Sequence, residues 1–158
     1  SPLDQFIELH PEQKNSIEAS FFEINQMQCE KDSFYHFDGQ KLTPLIKDFS
    51  VMAEQTSSKF QLPTTQHSIG GFYASISNYV FGDMDDVGKL MGLAPFGKSG
   101  IYNFDAFEFD SRRLLVKDDW KHHFNNPSQG YEYFKEHFDY YADVAKWAQE
   151  QVEQAVIN

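Results

Sequence analysis

The amino-acid sequence predicts a mixed α+β fold with two β-hairpins and about three helices. Three observations predict it. Aromatic and polar residues alternate over 33–37 and end at Asp38-Gly39, a strong hairpin turn pair. Two further extended stretches flank Asp110-Ser111. Apolar residues recur at helical spacing over 68–81 and again over 130–158.

In chain order, residues 1–16 are polar, contain Pro2, Pro11 and Asn15, and read as an irregular lead-in. Residues 17–25 hold Phe21, Phe22 and Ile24 and read as a strand, and 33–37 as another. The turn at Asp38-Gly39 makes 40–49 the start of its partner strand. Residues 51–66, with Ser57-Ser58 and Pro63, read as a connecting segment. Ser68 then suits the N-cap of a helix to about residue 81, with Ile69, Phe72, Ile76 and Tyr79 or Val80 on one face. Gly70 and Gly71 would each cost that helix about 1 kcal/mol against alanine. Such a pair implies close approach of a ligand or another backbone at the helix start, or close helix packing.

A short helix over 86–93 and a turn at Pro95 and Gly97 follow. Strands over 102–109 and 112–116 form the second hairpin, and 117–129 reads as a polar loop. Residues 130–158 read as one helix whose stripe is Phe134, Phe138, Tyr141, Ala145, Ala148, Val152 and Ala155. That stripe runs to the last residues, and the chain starts at Ser1. The expectation is a fragment: a single partial domain over 17–158 that meets further packing partners elsewhere, or a second copy of itself.

A length of 158 residues suits one domain, and 41% hydrophobic residues allow a real core. Sixteen phenylalanines, eight tyrosines and two tryptophans can fill it. The net charge of −11 repels phosphate backbones and anionic lipids, which argues against nucleic-acid and membrane-surface partners. The one cysteine, Cys29, excludes an internal disulfide and a multi-cysteine metal site. With the acidic balance, it fits a cytoplasmic location. No apolar run approaches the roughly 20 residues of a membrane span.

The chemistry concentrates in residues 83–98. Asp85, Asp86 and Lys89 stand beside Gly88, Gly92 and Gly97 in an otherwise apolar run. Glycines allow a backbone to come close to a ligand. A carboxylate near a lysine can hold a ribose diol on one side and an anion on the other. The stretch is read neither as a phosphate loop nor as a dinucleotide fingerprint, and a plain amphipathic helix is the competing account. The glycine-rich start at Ser68 and Gly70 precedes it by fewer than 20 residues, so the two helix starts could frame one cleft. His122 and His123 are adjacent and cannot face one metal, and His10, His36, His67 and His137 stand apart, so no metal site is assigned to this chain. No Gly-x-Ser-x-Gly elbow accompanies a serine. Asp118-Asp119 reads as a solvated turn.

Residues 68–82, Ser-Ile-Gly-Gly-Phe-Tyr-Ala-Ser-Ile-Ser-Asn-Tyr-Val-Phe-Gly, and 86–97, Asp-Val-Gly-Lys-Leu-Met-Gly-Leu-Ala-Pro-Phe-Gly, together resemble the central signature of the O-carbamoyltransferases of nodulation and antibiotic tailoring. That signature is Ser-Ile-Gly-x-x-Tyr, a gap, then an acid, Gly-Lys-x-Met-Gly-Leu-Ala-x-Tyr-Gly. Phe96 replaces the usual tyrosine, and Gly71 stands where a larger residue is common. Residues 32–39 and 142–149 resemble the family's flanking hairpin and helix more weakly. The likeness covers about 18–158 and is specific over 68–97.

The resemblance implies part of an actin/Hsp70-like, ribonuclease-H-like ATPase superfold, similar to the universal tRNA threonylcarbamoyl-transfer protein. It implies a transfer domain that moves a carbamoyl group from carbamoyl-adenylate, made from ATP and carbamoyl phosphate elsewhere in the enzyme, to the hydroxyl of a small-molecule acceptor. Asp86, Gly88, Lys89 and Gly92, with Ser68 and Gly70, would then line the nucleotide cleft. The family's early His-x-x-x-His pair, its later Gly-Gly-Val-Ala-Leu-Asn loop and its metal-binding aspartate have no counterpart here. The metal ion would belong to the complete enzyme, and this chain alone would not turn over. Two alternatives stand beside this reading: a non-catalytic interaction module of the same fold, and another ATPase of that superfold.

Overall fold

The computed structural model describes residues 7–8, 11, 28–51, 68–110, 113–117 and 119–157. It is mixed α+β, with two separate antiparallel hairpins. The strand expected over 17–25, most of the connecting segment 51–66, and His10, His67 and Asp118 lie outside the described residues. The chain divides into two compact units. One holds the first hairpin, the other residues 68–157.

In the first unit, β1 (Gln28–Phe37) pairs with β2 (Leu42–Val51). The turn is the one expected, though longer than two residues. Gly39 takes φ 99°, a conformation that favours glycine, and Asp38 organises the remainder. Its carboxylate accepts hydrogen bonds from the backbone N–H of Lys41 (2.7 Å) and Gln40 (2.9 Å). Those two donors, Lys41 first, hold the Asp38 carboxyl below its ordinary pKa. The ladder shifts register between Phe34 and Tyr35, and Phe37 pairs with Leu42 at its end.

The second unit begins with α1 (Ile69–Phe81). Ser68 is its N-cap: the Oγ accepts from the Gly71 N–H at 2.8 Å. Gly82 ends it at φ 77°, with its N–H on the Asn78 carbonyl at 2.7 Å. Phe72, Ile76, Tyr79 and Val80 are fully buried, as their spacing requires. The short α2 (Val87–Leu93) buries Leu90 and Leu93 and passes into a 3₁₀ turn, Ala94–Phe96, at the expected Pro95.

Downstream, three expectations are corrected. The second hairpin is shorter than read: β3 (Phe107–Asp110) pairs with β4 (Arg113–Val116), and 102–106 is not strand. Those residues find their partners on a helix instead. Trp147 Nε1 donates to the Phe104 carbonyl (3.0 Å), and the Ala106 N–H donates to Gln151 (2.7 Å). The polar loop 117–129 contains a 3₁₀ helix, Asp119–His123, and buries Trp120 and Phe124 completely. These two aromatics sit four apart among charged neighbours, so their average hydropathy hides them.

The third correction concerns the C-terminal helix, which is broken into α3 (Tyr131–Glu136) and α4 (Phe138–Ile157). His137 is the joint. Its N–H caps the Tyr133 and Phe134 carbonyls at 3.2 Å, and its ring Nδ1 lies 2.9 Å from the Tyr133 oxygen. Of the expected stripe, Tyr141, Ala145, Ala148 and Ala155 are buried, whereas Phe138 is exposed beside Phe96.

The core joins α1, α4 and the intervening segments through packed aromatic rings. Several tyrosine hydroxyls sit within it. Burial, more than neighbouring charge, pushes Tyr73, Tyr102 and Tyr141 up to about 12 from 10.0, and Tyr140 higher still. These groups keep their protons in the folded chain after the unfolded chain has begun to lose them. Their contribution to stability is therefore complete below the unfolded value of 10.0 and is lost as pH rises toward about 12. The denaturant midpoint should stay level, as far as these groups decide it, up to pH ~10 and then fall steeply, in step with the appearance of tyrosinate absorbance. A midpoint indifferent to pH across that window would contradict the burial of these rings.

Candidate functional site

Asp86 stands at the N-cap position of α2 but does not cap it through its side chain. The carboxylate turns instead to Lys89, one helical turn on, and Oδ2 meets Nζ at 2.6 Å. This is the (i, i+3) geometry that puts both on one helix face. The lysine side chain is 67% exposed and the aspartate 24%. Such an open pair contributes about 0.2–1 kcal/mol, so a ligand can separate it at small cost.

The pair borders a hollow of about 370 Å³. Phe81, from the end of α1, supplies a second part of the same wall. Ser128, Gly130, Tyr131 and Phe134 supply the rest, and Phe134 packs against Phe81 with ring centroids 5.3 Å apart. The volume falls at the small end of the range for ligand clefts. A second hollow of equal volume lies over 135–140 around the joint at His137, so size does not single out either. What distinguishes the first is its assembly: residues from three separated stretches, 81, 86–89 and 128–134, line it, whereas one continuous stretch lines the second.

This part of the lining was not legible as a site in sequence. Its residues lie some 40 positions downstream, in what reads as polar loop and helix. The one local signal is Gly130 at φ 111° immediately before Tyr131, a glycine that starts a helix from the left-handed side of backbone space. Hydrogen bonds hold this wall in place. The Ser128 N–H donates to the Tyr79 carbonyl (2.9 Å), and the Asn126 N–H donates to the Tyr79 hydroxyl (2.8 Å).

The other expected residues fall elsewhere. Ser68 and Gly70 are at the start of α1 and Phe81 is at its end, about 18 Å away at 1.5 Å per residue. The two glycine-rich starts therefore do not frame one cleft. Ser68 serves as a cap, and nothing lies within 4 Å of a Cβ placed at Gly70. Gly88 and Gly92 are exposed and equally open. The glycine that a close approach does require is Gly97, where a Cβ would run into the backbone of α4.

Sequence spacing alone does not dispose of a phosphate loop, because Gly92, Gly97, Lys98 and Ser99 fit Gly-x-x-x-x-Gly-Lys-Ser. The fold does. Gly92 is inside α2, no helix begins directly after Ser99, and both later residues are tied to α4. The Lys98 N–H donates to Asp143 (2.7 Å) and the Ser99 hydroxyl to Glu150 (2.5 Å).

Among the described residues, no cluster of three or more His, Cys, Asp or Glu side chains is arranged to hold a metal. His123 stacks on Phe104 and His137 on Tyr133. Among the same residues, no helix is long and apolar enough to cross a membrane.

Fold and hollow together describe a mixed α+β protein in which the Asp86–Lys89 ion pair borders an aromatic-lined hollow. Comparison with family models, curated proteins and solved structures finds no significant match to this chain.

Proposed function

We propose that this chain is part of an O-carbamoyltransferase of the ribonuclease-H-like superfold, acting in the cytoplasm, and supplies one side of the cleft for carbamoyl-adenylate or ATP. The observation that carries the reading is the meeting of Asp86 and Lys89 at the edge of an aromatic-lined hollow. Lys89 would leave its partner to meet the adenylate phosphate. Asp86, so released, would accept a hydrogen bond from a ribose hydroxyl. Tyr131, exposed beside the packed Phe81–Phe134 pair, offers a face on which a base can stack.

Carbamoyl transfer also requires a stabilised oxyanion and removal of a proton from the acceptor hydroxyl. The described residues assemble no donor set for the family's metal, so no step through it is assigned to this chain. The metal, the acceptor and the adenylate-forming chemistry fall to the rest of the enzyme.

The test is a titration with ATP followed through backbone amide resonances. Shifts should appear at Gly88, Lys89, Ser128 and Tyr131. Lys89→Ala should weaken ATP binding about tenfold or more, the loss of one charge-assisted hydrogen bond, while the melting temperature barely moves. Millimolar ATP without any response at these amides would overturn the proposal. A non-catalytic interaction module is the second reading. It is favoured by exposed Phe34, Phe37, Leu42 and Leu45 on the first hairpin, and ATP binding that depends on Lys89 would argue against it.

A further inference from the structure

The geometry points to Asn126 as the positioning residue of this cleft, the group through which α1 and α4 set the distance between its walls. The inference rests on the nucleotide reading above and adds a residue that touches no part of the hollow. Asn126 is half-buried, and three of its polar groups are each held by a different tyrosine. Its N–H donates to the Tyr79 hydroxyl at 2.8 Å. Its carbonyl accepts from the Tyr141 hydroxyl at 3.1 Å. Its side-chain Oδ1 accepts from the Tyr133 hydroxyl.

Each tyrosine belongs to a different helix, and two of them adjoin the walls. Tyr79 lies two residues before Phe81 on α1. Tyr133 immediately precedes Phe134 on α3. Tyr141 anchors the set to α4, where it is fully buried. Tyr79 also contacts the Tyr140 hydroxyl at 2.7 Å, and its carbonyl takes the Ser128 N–H. The segment 126–128 is thus fastened at both ends before it delivers Ser128 and Gly130 to the cleft. Without the Oδ1 bond, the Phe81–Phe134 contact between α1 and α3 loses its nearby hydrogen-bonded support, and aromatic contact depends steeply on ring separation.

The experiment uses the full chain and adenosine as probe, because an uncharged ligand reports the walls and not the lysine. Asn126→Ala and Tyr133→Phe should each weaken adenosine binding about three- to tenfold, the size of one lost neutral hydrogen bond. The double variant should lose no more than either single change, since both remove the same bond. Asn126→Asp retains an acceptor oxygen and should restore affinity, a rescue that a general loss of stability would not give. Tyr133→Phe removes only a hydroxyl, so it carries the test if the alanine variant unfolds. Undiminished affinity in Tyr133→Phe, or strictly additive losses, overturns the role of Asn126 and leaves the nucleotide reading standing. Binding of ATP but not adenosine by the unaltered chain also overturns it. Binding of neither overturns the nucleotide reading itself.

Discussion

Trp147→Ala should destabilise the 68–157 unit by about 3–5 kcal/mol, the range for removing a buried tryptophan from a packed core. Trp147 sits on α4 with its indole among the rings of Phe124 (5.0 Å), Phe104 (5.1 Å), Phe72 (5.7 Å), Trp120 (5.9 Å) and Tyr102 (6.3 Å). All five pairs meet tilted or edge to face, and edge-to-face contacts add to simple burial. The five partners come from three separate stretches of chain, so a cavity there loosens the whole core. The indole N–H also leaves, and the Phe104 carbonyl loses its donor. Total stability of a domain this size is about 5–15 kcal/mol, so the loss is a large share. Trp147→Phe should fall between, because it refills part of the volume but not the hydrogen bond. Urea denaturation at neutral pH measures both. A Trp147→Ala midpoint within error of the parent would mean that α4 does not pack on this cluster.

Gly97→Ala should cost about 2–4 kcal/mol, although it adds a single methyl at a backbone φ of −84° that any residue accepts. The reason is space. The added carbon would lie 2.6 Å from Lys146 Cβ and nearer still to the Ala142 carbonyl. A helix backbone cannot yield as a flexible side chain can. The turn must retreat from α4, and its retreat strains the bonds from Lys98 to Asp143 and from Ser99 to Glu150. Gly92→Ala is the control. Position 92 is helical and open, so alanine should be neutral or slightly stabilising there. Thermal melts of the two variants should move apart, and coincident melts would show that Gly97 does not touch α4.

The contrast between Gly92 and Gly97 shows where sequence reading reached its limit. Both glycines stood in the run expected to give clearance to a ligand, and only the fold reveals that one packs on a helix while the other faces open space. Asp86 and Lys89 were legible as a pair because three residues along a helix is a fixed local distance. The second wall of the cleft was not, since nothing near Ser128 or Tyr131 in sequence states which helix they will face.

The amino-acid order by itself determined the turn at Asp38-Gly39, the Ser68 cap, the buried face of α1 and the Asp86–Lys89 contact. Each is settled within one or two turns of chain by φ preference, capping or periodicity. Tertiary structure alone decided that Trp120 and Phe124 go inside, that 102–106 bonds to α4 and not to a strand, and that two distant segments close a hollow around the ion pair. Those outcomes depend on which remote groups arrive to take up a ring or a backbone N–H, and burial and hydrogen-bond satisfaction are properties of the assembled neighbours, not of the local chain.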